Sequence, residues 1–237
     1  MQLSFQYGDT IIQFDMSYSM RKSILISVEA PDKVSVTAPE GLSEHEIISR
    51  VKSKAKWIIQ KLYEVKDIKT VTISKEFVNG ESFMYLGRNY SLQLHVDSTL
   101  KKPVVKLYQG KFIVNTPTRD EEVIKKAMEA WYRSKAQEQI KERLKYYQSR
   151  VGTKPAKVTI KEQKKRWGSC SSKGNLNFNW RAVMAPSPVL DYIIVHELCH
   201  LMHLNHSKEF WNRLSSVLPD YEDRKNWLKK NGVRLNI

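Results

Sequence analysis

The sequence is poor in several things, and each shortage excludes a class of protein. It has only two cysteines, Cys170 and Cys199. Two thiols cannot build a disulfide framework or a four-thiolate zinc site, and they fit a reducing compartment. No run approaches the roughly 18 consecutive apolar residues of a spanning helix, so no membrane segment is expected. The opening residues, Met1 to Asp9, have no basic start, no apolar stretch and no small-residue cleavage site. No secretory leader is therefore expected, and the expected location is cytoplasmic. A glycine-rich phosphate loop is missing, so ATP-driven chemistry is not indicated. No internal repeat or low-complexity segment stands out.

What is there is enough for a folded enzyme or binding protein. Of the 237 residues, 41% are hydrophobic, which supports a substantial core, and 27% are charged, which is ordinary for a globular chain. The net charge of +15 is unevenly spread: residues 1–118 carry 16 Lys/Arg against 12 Asp/Glu, and residues 119–237 carry 24 against 13. A basic C-terminal half suits an anionic partner such as DNA or a nucleotide, although such charge also serves solubility.

The first part reads as β-rich. Leu3, Phe5 and Tyr7, then Ile12, Phe14 and Met16, alternate with polar residues around Gly8-Asp9, which predicts a hairpin. Ile24 to Val28 and Val34 to Val36 continue the pattern. Ser43-Glu44-His45-Glu46 is a capping box, and Ile47 to Leu62 recur at helical spacing, predicting one amphipathic helix to about Glu64. Strands are expected around Tyr90–Val96 and Val104–Val114, turning at Gln109-Gly110. A second capping box, Thr118 to Glu121, opens a long helix to about Ser149. The domain boundary is placed before it, giving a β-rich part, 1–118, and a catalytic domain, 119–237. Beyond Gly152, Val158 and Ile160 mark a strand, and Leu176, Phe178 and Trp180 alternate with three asparagines in a hairpin. A helix follows, with Ser187 as its expected cap and Pro188 in its first turn.

That helix carries His196-Glu197-Leu198-Cys199-His200. Histidines four apart share a helical face, so both imidazoles can bind one zinc ion with Glu197 beside it. Val189, Tyr192, Ile193 and the histidines are expected on one face, and Leu190, Ile194, Leu198 and Leu201 on the other, toward a core. Catalytic zinc needs a third protein ligand and an open position. His206, ten residues after His196, supplies it in H-E-x-x-H-x-x-x-x-x-H. This spacing matches H-E-x-x-H-x-x-G-x-x-H, but His203 stands where that pattern has glycine, so the turn is expected to use Asn205 in a left-handed conformation. His203 competes as third ligand, yet lies about 10 Å along a regular helix from His196. Zinc would lower the pKa of a water toward ~7 and polarise a carbonyl, with Glu197 taking the proton. Tyr221, Arg224 and Tyr192 are candidate oxyanion stabilisers, and the strand Asn175–Trp180 is either an edge for an extended peptide or a sheet strand with three solvated asparagines. Cys199 reads as a small buried thiol.

Arg166-Trp167-Gly168-Ser169-Cys170-Ser171-Ser172, Asn175 to Trp180, Val195 to Leu201, Asn205-His206-Ser207, Phe210-Trp211 and Leu218-Pro219-Asp220-Tyr221 together closely resemble the YgjP-like metallopeptidase family, related to the SprT-like and WLM zincins. Similarity extends upstream through Arg21-Lys22-Ser23, Ala38-Pro39, Ser53 to Ile58 and Leu86-Gly87-Arg88. The resemblance implies an α+β fold with a zincin-like catalytic domain. It also implies His196, His200 and His206 as zinc ligands, Glu197 as catalytic acid/base, and a peptide or protein substrate. A metal-dependent nucleotide phosphoanhydride hydrolase, motivated by the basic half, and a DNA-associated zincin trimming bound proteins, motivated by that half and the basic face of the first helix, are the alternatives.

Overall fold

Alternation of apolar and polar residues at the start of the chain produces four strands, as expected. In the computed structural model, which describes residues 1–29, 32–66, 75–163 and 166–237, β1 (Gln2–Tyr7) and β2 (Thr10–Ser19) form the hairpin. Next come β3 (Leu25–Glu29) and β4 (Lys33–Pro39), in the sheet order β1-β2-β4-β3. One face buries Phe5, Ile12, Phe14, Met16, Val34, Val36 and Ala38. The Ser43 capping box is formed, with Ser43 Oγ accepting from Glu46 N at 3.3 Å and Ser43 N donating to Glu46 Oε2 at 3.2 Å. The single helix expected here is two, α1 (Glu44–Lys52) and α2 (Ala55–Lys66). Ser53 ends α1, and its hydroxyl donates to the Arg50 carbonyl at 2.7 Å, a local bond that competes with helix continuation. The apolar spacing runs through the break because Ile47, Val51, Ala55 and Ile58 are all buried.

These elements form one unit, Met1–Val71, and Thr72–Ile237 forms a second with its own core. The second begins with β5 (Ser82–Tyr85), β6 (Arg88–Val96), β7 (Val104–Tyr108) and β8 (Lys111–Thr116), ordered β5-β6-β8-β7. Helix α3 (Glu121–Val151) follows. Its cap is Asp120 rather than Thr118: the Asp120 carboxylate accepts from Val123 N at 3.1 Å. Ile124, Met128, Tyr132, Ala136, Ile140, Leu144, Tyr147 and Val151 form its buried stripe. Trp131 packs on Phe112 and Tyr85 with ring centroids 4.8 and 5.1 Å apart, and Tyr132 OH donates to the Met84 carbonyl at 2.8 Å. The boundary expected before residue 119 therefore falls inside the second unit, because sheet and helix share one core.

The two units repeat a plan that the sequence does not announce. In each sheet two antiparallel hairpins join through a parallel central pair, and Met16 faces Val36 as Leu94 faces Val114. Both first hairpins turn on two residues, Tyr7 to Thr10 and Tyr85 to Arg88. Lys33-x-x-Val36-x-x-Pro39 corresponds to Lys111-x-x-Val114-x-x-Pro117. Buried residues then fall four, eight and twelve positions after the cap: Ile47, Val51 and Ala55 after Ser43, and Ile124, Met128 and Tyr132 after Asp120. Few identities survive because the cores differ in side-chain size, which hides the repeat.

The rest of the second unit is built on α3. A mixed sheet, ordered β10-β11-β9, contains β9 (Lys157–Lys161), β10 (Gly168–Cys170) and β11 (Asn175–Asn179), followed by a 3₁₀ turn at Trp180–Met184 and then α4 (Ser187–Cys199), α5 (Lys208–Val217) and α6 (Tyr221–Asn231). Trp180 begins the 3₁₀ turn instead of ending the strand. The β5–β6 turn is fastened to that 3₁₀ turn by Leu86 N to Val183 O at 2.8 Å and Gly87 N to Met184 O at 3.0 Å. Gly87 has φ +78°, and a Cβ there would come within 2.8 Å of Pro186 Cα. This close approach fixes where α4 starts.

Candidate metal centre

Helix α4 starts without a side-chain cap: Pro186 holds the cap position, Ser187 is the first helical residue, and Pro188 sits in the first turn, where its missing N–H leaves no bond unmade. The expected division into two faces gives way to burial nearly all round, from Val189 to Cys199, as for a helix through the middle of a core. Arg143 of α3 pairs with Asp191 at 2.8 Å. Thr153 Oγ1 donates to the Leu198 carbonyl at 3.3 Å, satisfying an acceptor that the helix end leaves open. Beyond the C-cap, His200, the chain reverses through Leu201 N to Leu198 O and Met202 N to Cys199 O, both 3.1 Å. These tight turns replace the left-handed residue expected at Asn205, which is not among the residues with positive φ. Ser207 then caps α5, so His206 stands immediately before that cap.

The structure brings His196, His200 and His206 together. His196 Nε2 lies 3.1 Å from both His200 Nε2 and His206 Nε2, and one nitrogen from each ring fits within 4.8 Å of the others. Nitrogens about 2.0–2.1 Å from a tetrahedral ion stand roughly 3.3–3.4 Å apart, so the donor set fits one metal ion. The imidazole of His203 is not in the group. Its backbone is: His203 O lies 2.9 Å from His200 Nδ1, and donation from that nitrogen leaves the Nε2 lone pair directed at the other histidines. Phe210 packs against all three rings, at centroid distances of 5.0, 4.7 and 4.8 Å. Trp211 stacks on His206 at 5.5 Å and on Tyr221 at 5.4 Å. Burial pushes the His196 pKa down to about 3, with His200, His206 and Lys225 adding like charge, and burial lowers that of His206 as well. Both rings are thereby kept in the neutral form that metals bind.

Glu197 is buried, and its Oε2 has no hydrogen-bond partner. Desolvation pushes its pKa up to about 8 against an opposing pull from Arg166; a metal ion held by the histidines would favour the ionised form, the one able to take a proton. Strand β10 lies directly on it: a Cβ on Gly168 would fall 2.5 Å from Glu197 Oε1. Glu197, the three histidines, Arg166, Gly168, Ser169, Cys170 and Leu204 line one cavity of about 280 Å3. Cys199 is fully buried outside that lining, as expected of a structural thiol.

Three sequence expectations fail here. Strand β11 is the central strand, paired with β10 on one side and β9 on the other, so it offers no edge to a peptide; β10 does. Of the β11 asparagines, Asn179 is not solvated: it is buried, and its Nδ2 donates to the Gln163 carbonyl at 2.8 Å and the Arg166 carbonyl at 3.3 Å, while Asn175 and Asn177 are half-buried. Tyr221, Arg224 and Tyr192 do not line the cavity. Arg224 is engaged by Asp220 at 2.9 Å and the Pro188 carbonyl at 3.0 Å, and Tyr192 is buried against His196. Of the basic run Lys164-Lys165-Arg166, the lysines lie outside the described residues. Arg166 turns up at the cavity, a place that no local pattern signals.

The family model for the YgjP-like metallopeptidase domain matches residues 22–231. No match is found among curated proteins. Among solved structures, the metallopeptidase zymogen abylysin of Pyrococcus abyssi is 24% identical, with 36% of this chain and 90% of that one covered at a TM-score of 0.33. The zymogen jannalysin of Methanocaldococcus jannaschii is 28% identical, with 38% and 91% covered at a TM-score of 0.34. Among the described residues, no helix is long and apolar enough to cross a membrane.

Proposed function

Because the chain belongs to the YgjP-like metallopeptidase family, we propose that it is a zinc-dependent peptidase in which His196, His200 and His206 hold the metal and Glu197 is the general base. The observation that carries this reading is the convergence of three imidazole nitrogens beside a buried carboxylate oxygen with no partner. The catalytic half is then zincin-like, with α4 behind the site and the free edge of β10 along it. A bound zinc ion supplies a Lewis acid that polarises the scissile carbonyl and acidifies a water.

The chain's own groups do the rest. Glu197 Oε2, uncommitted in the fold, takes a proton from the attacking water and passes it to the leaving amine. The bond from His200 Nδ1 to the His203 carbonyl fixes one ligand's tautomer. The backbone of β10 receives the extended peptide by strand addition, which aligns a carbonyl over the cavity. Glu197→Gln is the test. It is expected to retain metal while turnover of a peptide mixture falls by about 10²–10⁴-fold. Turnover near wild type removes Glu197 from the mechanism, and phosphate release from nucleoside triphosphates that Glu197→Gln abolishes would move the reading to phosphoanhydrides.

A further inference from the structure

Apart from the histidines, Arg166 is the one cation lining the metal cavity among the described residues. Other arginines of the same region are committed: Arg181 and Arg133 both pair with Glu162, at 2.8 and 3.5 Å. The Arg166 guanidinium is not, since no hydrogen bond or ion pair engages it among the described residues and it is exposed. Among the described residues the cavity's only carboxylate is Glu197, and the two form no ion pair. The Arg166 backbone is nonetheless held firmly. Buried Asn179 clamps its carbonyl together with that of Gln163, and Asn179 N donates to Trp167 O at 2.8 Å. A long cationic side chain is thus launched from a fixed point at the mouth of the site.

The walls of the cavity say what such a cation is for. At about 280 Å3, with Leu204 as its only aliphatic side chain among the described residues and that one 72% exposed, it offers no apolar slot there in which to bury a bulky hydrophobic side chain. Pockets that select by shape are larger and mostly apolar. Discrimination must come from polar contacts, and a guanidinium is built for a carboxylate, which it binds through two parallel hydrogen bonds.

We propose that Arg166 anchors a carboxylate of the substrate, so that the enzyme selects acidic peptides over neutral ones of the same shape; this rests on the peptidase reading above. Arg166 lies two residues before Gly168, which sits against Glu197. At about 3.3 Å per residue, the carboxylate then belongs within roughly two residues of the cleaved bond.

The test uses zinc-loaded full-length protein and matched fluorogenic peptides in which one position after another carries Glu or Gln, each made with a free or an amidated C-terminus. Wild type is expected to favour a Glu peptide by about tenfold in kcat/KM. That ratio should fall toward one in Arg166→Ala and be partly kept in Arg166→Lys. A preference that follows the free C-terminus instead assigns the anchor to the terminal carboxylate. A ratio near one for every pair in wild type, or an unchanged ratio in Arg166→Ala, overturns the proposal. Calorimetric binding of the same peptides to Glu197→Gln, with and without Arg166→Ala, separates the two readings. Acidic preference in binding without any cleavage by wild type rejects the peptidase and keeps the anchor. Equal binding of Glu and Gln peptides rejects the anchor whatever the turnover.

Discussion

Replacing Gly168 by alanine adds one methyl group, and its consequence can be worked out from three distances. The new Cβ would stand 2.5 Å from Glu197 Oε1, 2.6 Å from Cγ and 2.7 Å from Cδ. Atoms in contact settle at about 3.5–4.0 Å, so the carboxyl group must withdraw by about 1 Å. Glu197 is held by a helix buried nearly all round, so only its side-chain torsions can give. A displacement of that size at a reacting group costs about 10²-fold in rate, or roughly 2.7 kcal/mol of transition-state stabilisation. Backbone strain adds nothing, because Gly168 is not among the glycines with positive φ. Gly168→Ala should therefore keep its fold and its full metal complement, read by circular dichroism and metal analysis, while kcat/KM on a cleaved peptide falls about a hundredfold. Activity within threefold of wild type at full metal content would refute the reasoning, and so would loss of metal in place of rate.

Two other outcomes are expected at the metal. His206→Ala should lose most of its metal after chelation and re-addition, whereas His203→Ala should retain it, since only the His203 carbonyl takes part; the reverse pattern would reassign the third ligand. Trp211→Ala, which removes the ring stacked on His206, should weaken metal affinity by about tenfold as surrounding partners of ligands do, measured by competition with a chelator, and Trp211→Phe should recover part of it.

How legible was this in the residues? The histidine spacing is a one-helix property, so His196 and His200 could be placed from periodicity alone. His206 could be placed from its distance along the chain, because Ser207 opens a new helix just after it. Arg166, Gly168 and Asn179 could not. Their roles depend on β10 crossing over Glu197 and on a buried amide bridging the segment before it, pairings between positions 13 to 29 residues apart that no local pattern encodes. The three asparagines of β11 look like a solvated face because alternation cannot tell a central strand from an edge. The boundary before residue 119 failed for a related reason: sequence shows where α3 starts, but not that Phe112 and Trp131 lie in one core.

The repeated plan also creates a hazard during folding. Two copies of the same strand order in one chain invite a strand of one to seat itself in the sheet of the other, a known failure of tandem homologous domains. Divergence of the cores works against that exchange. Phe112, in the place of Val34, would overfill the first sheet, and Val34 in the second would leave a void beneath Phe83, which lies 6.3 Å from Phe112. Tyr132 stands where Ala55 does and carries the same discrimination into the helices. Side-chain volume thus favours each sheet keeping its own strands, and the dissimilarity that hides the repeated plan from the sequence keeps the two from trading parts.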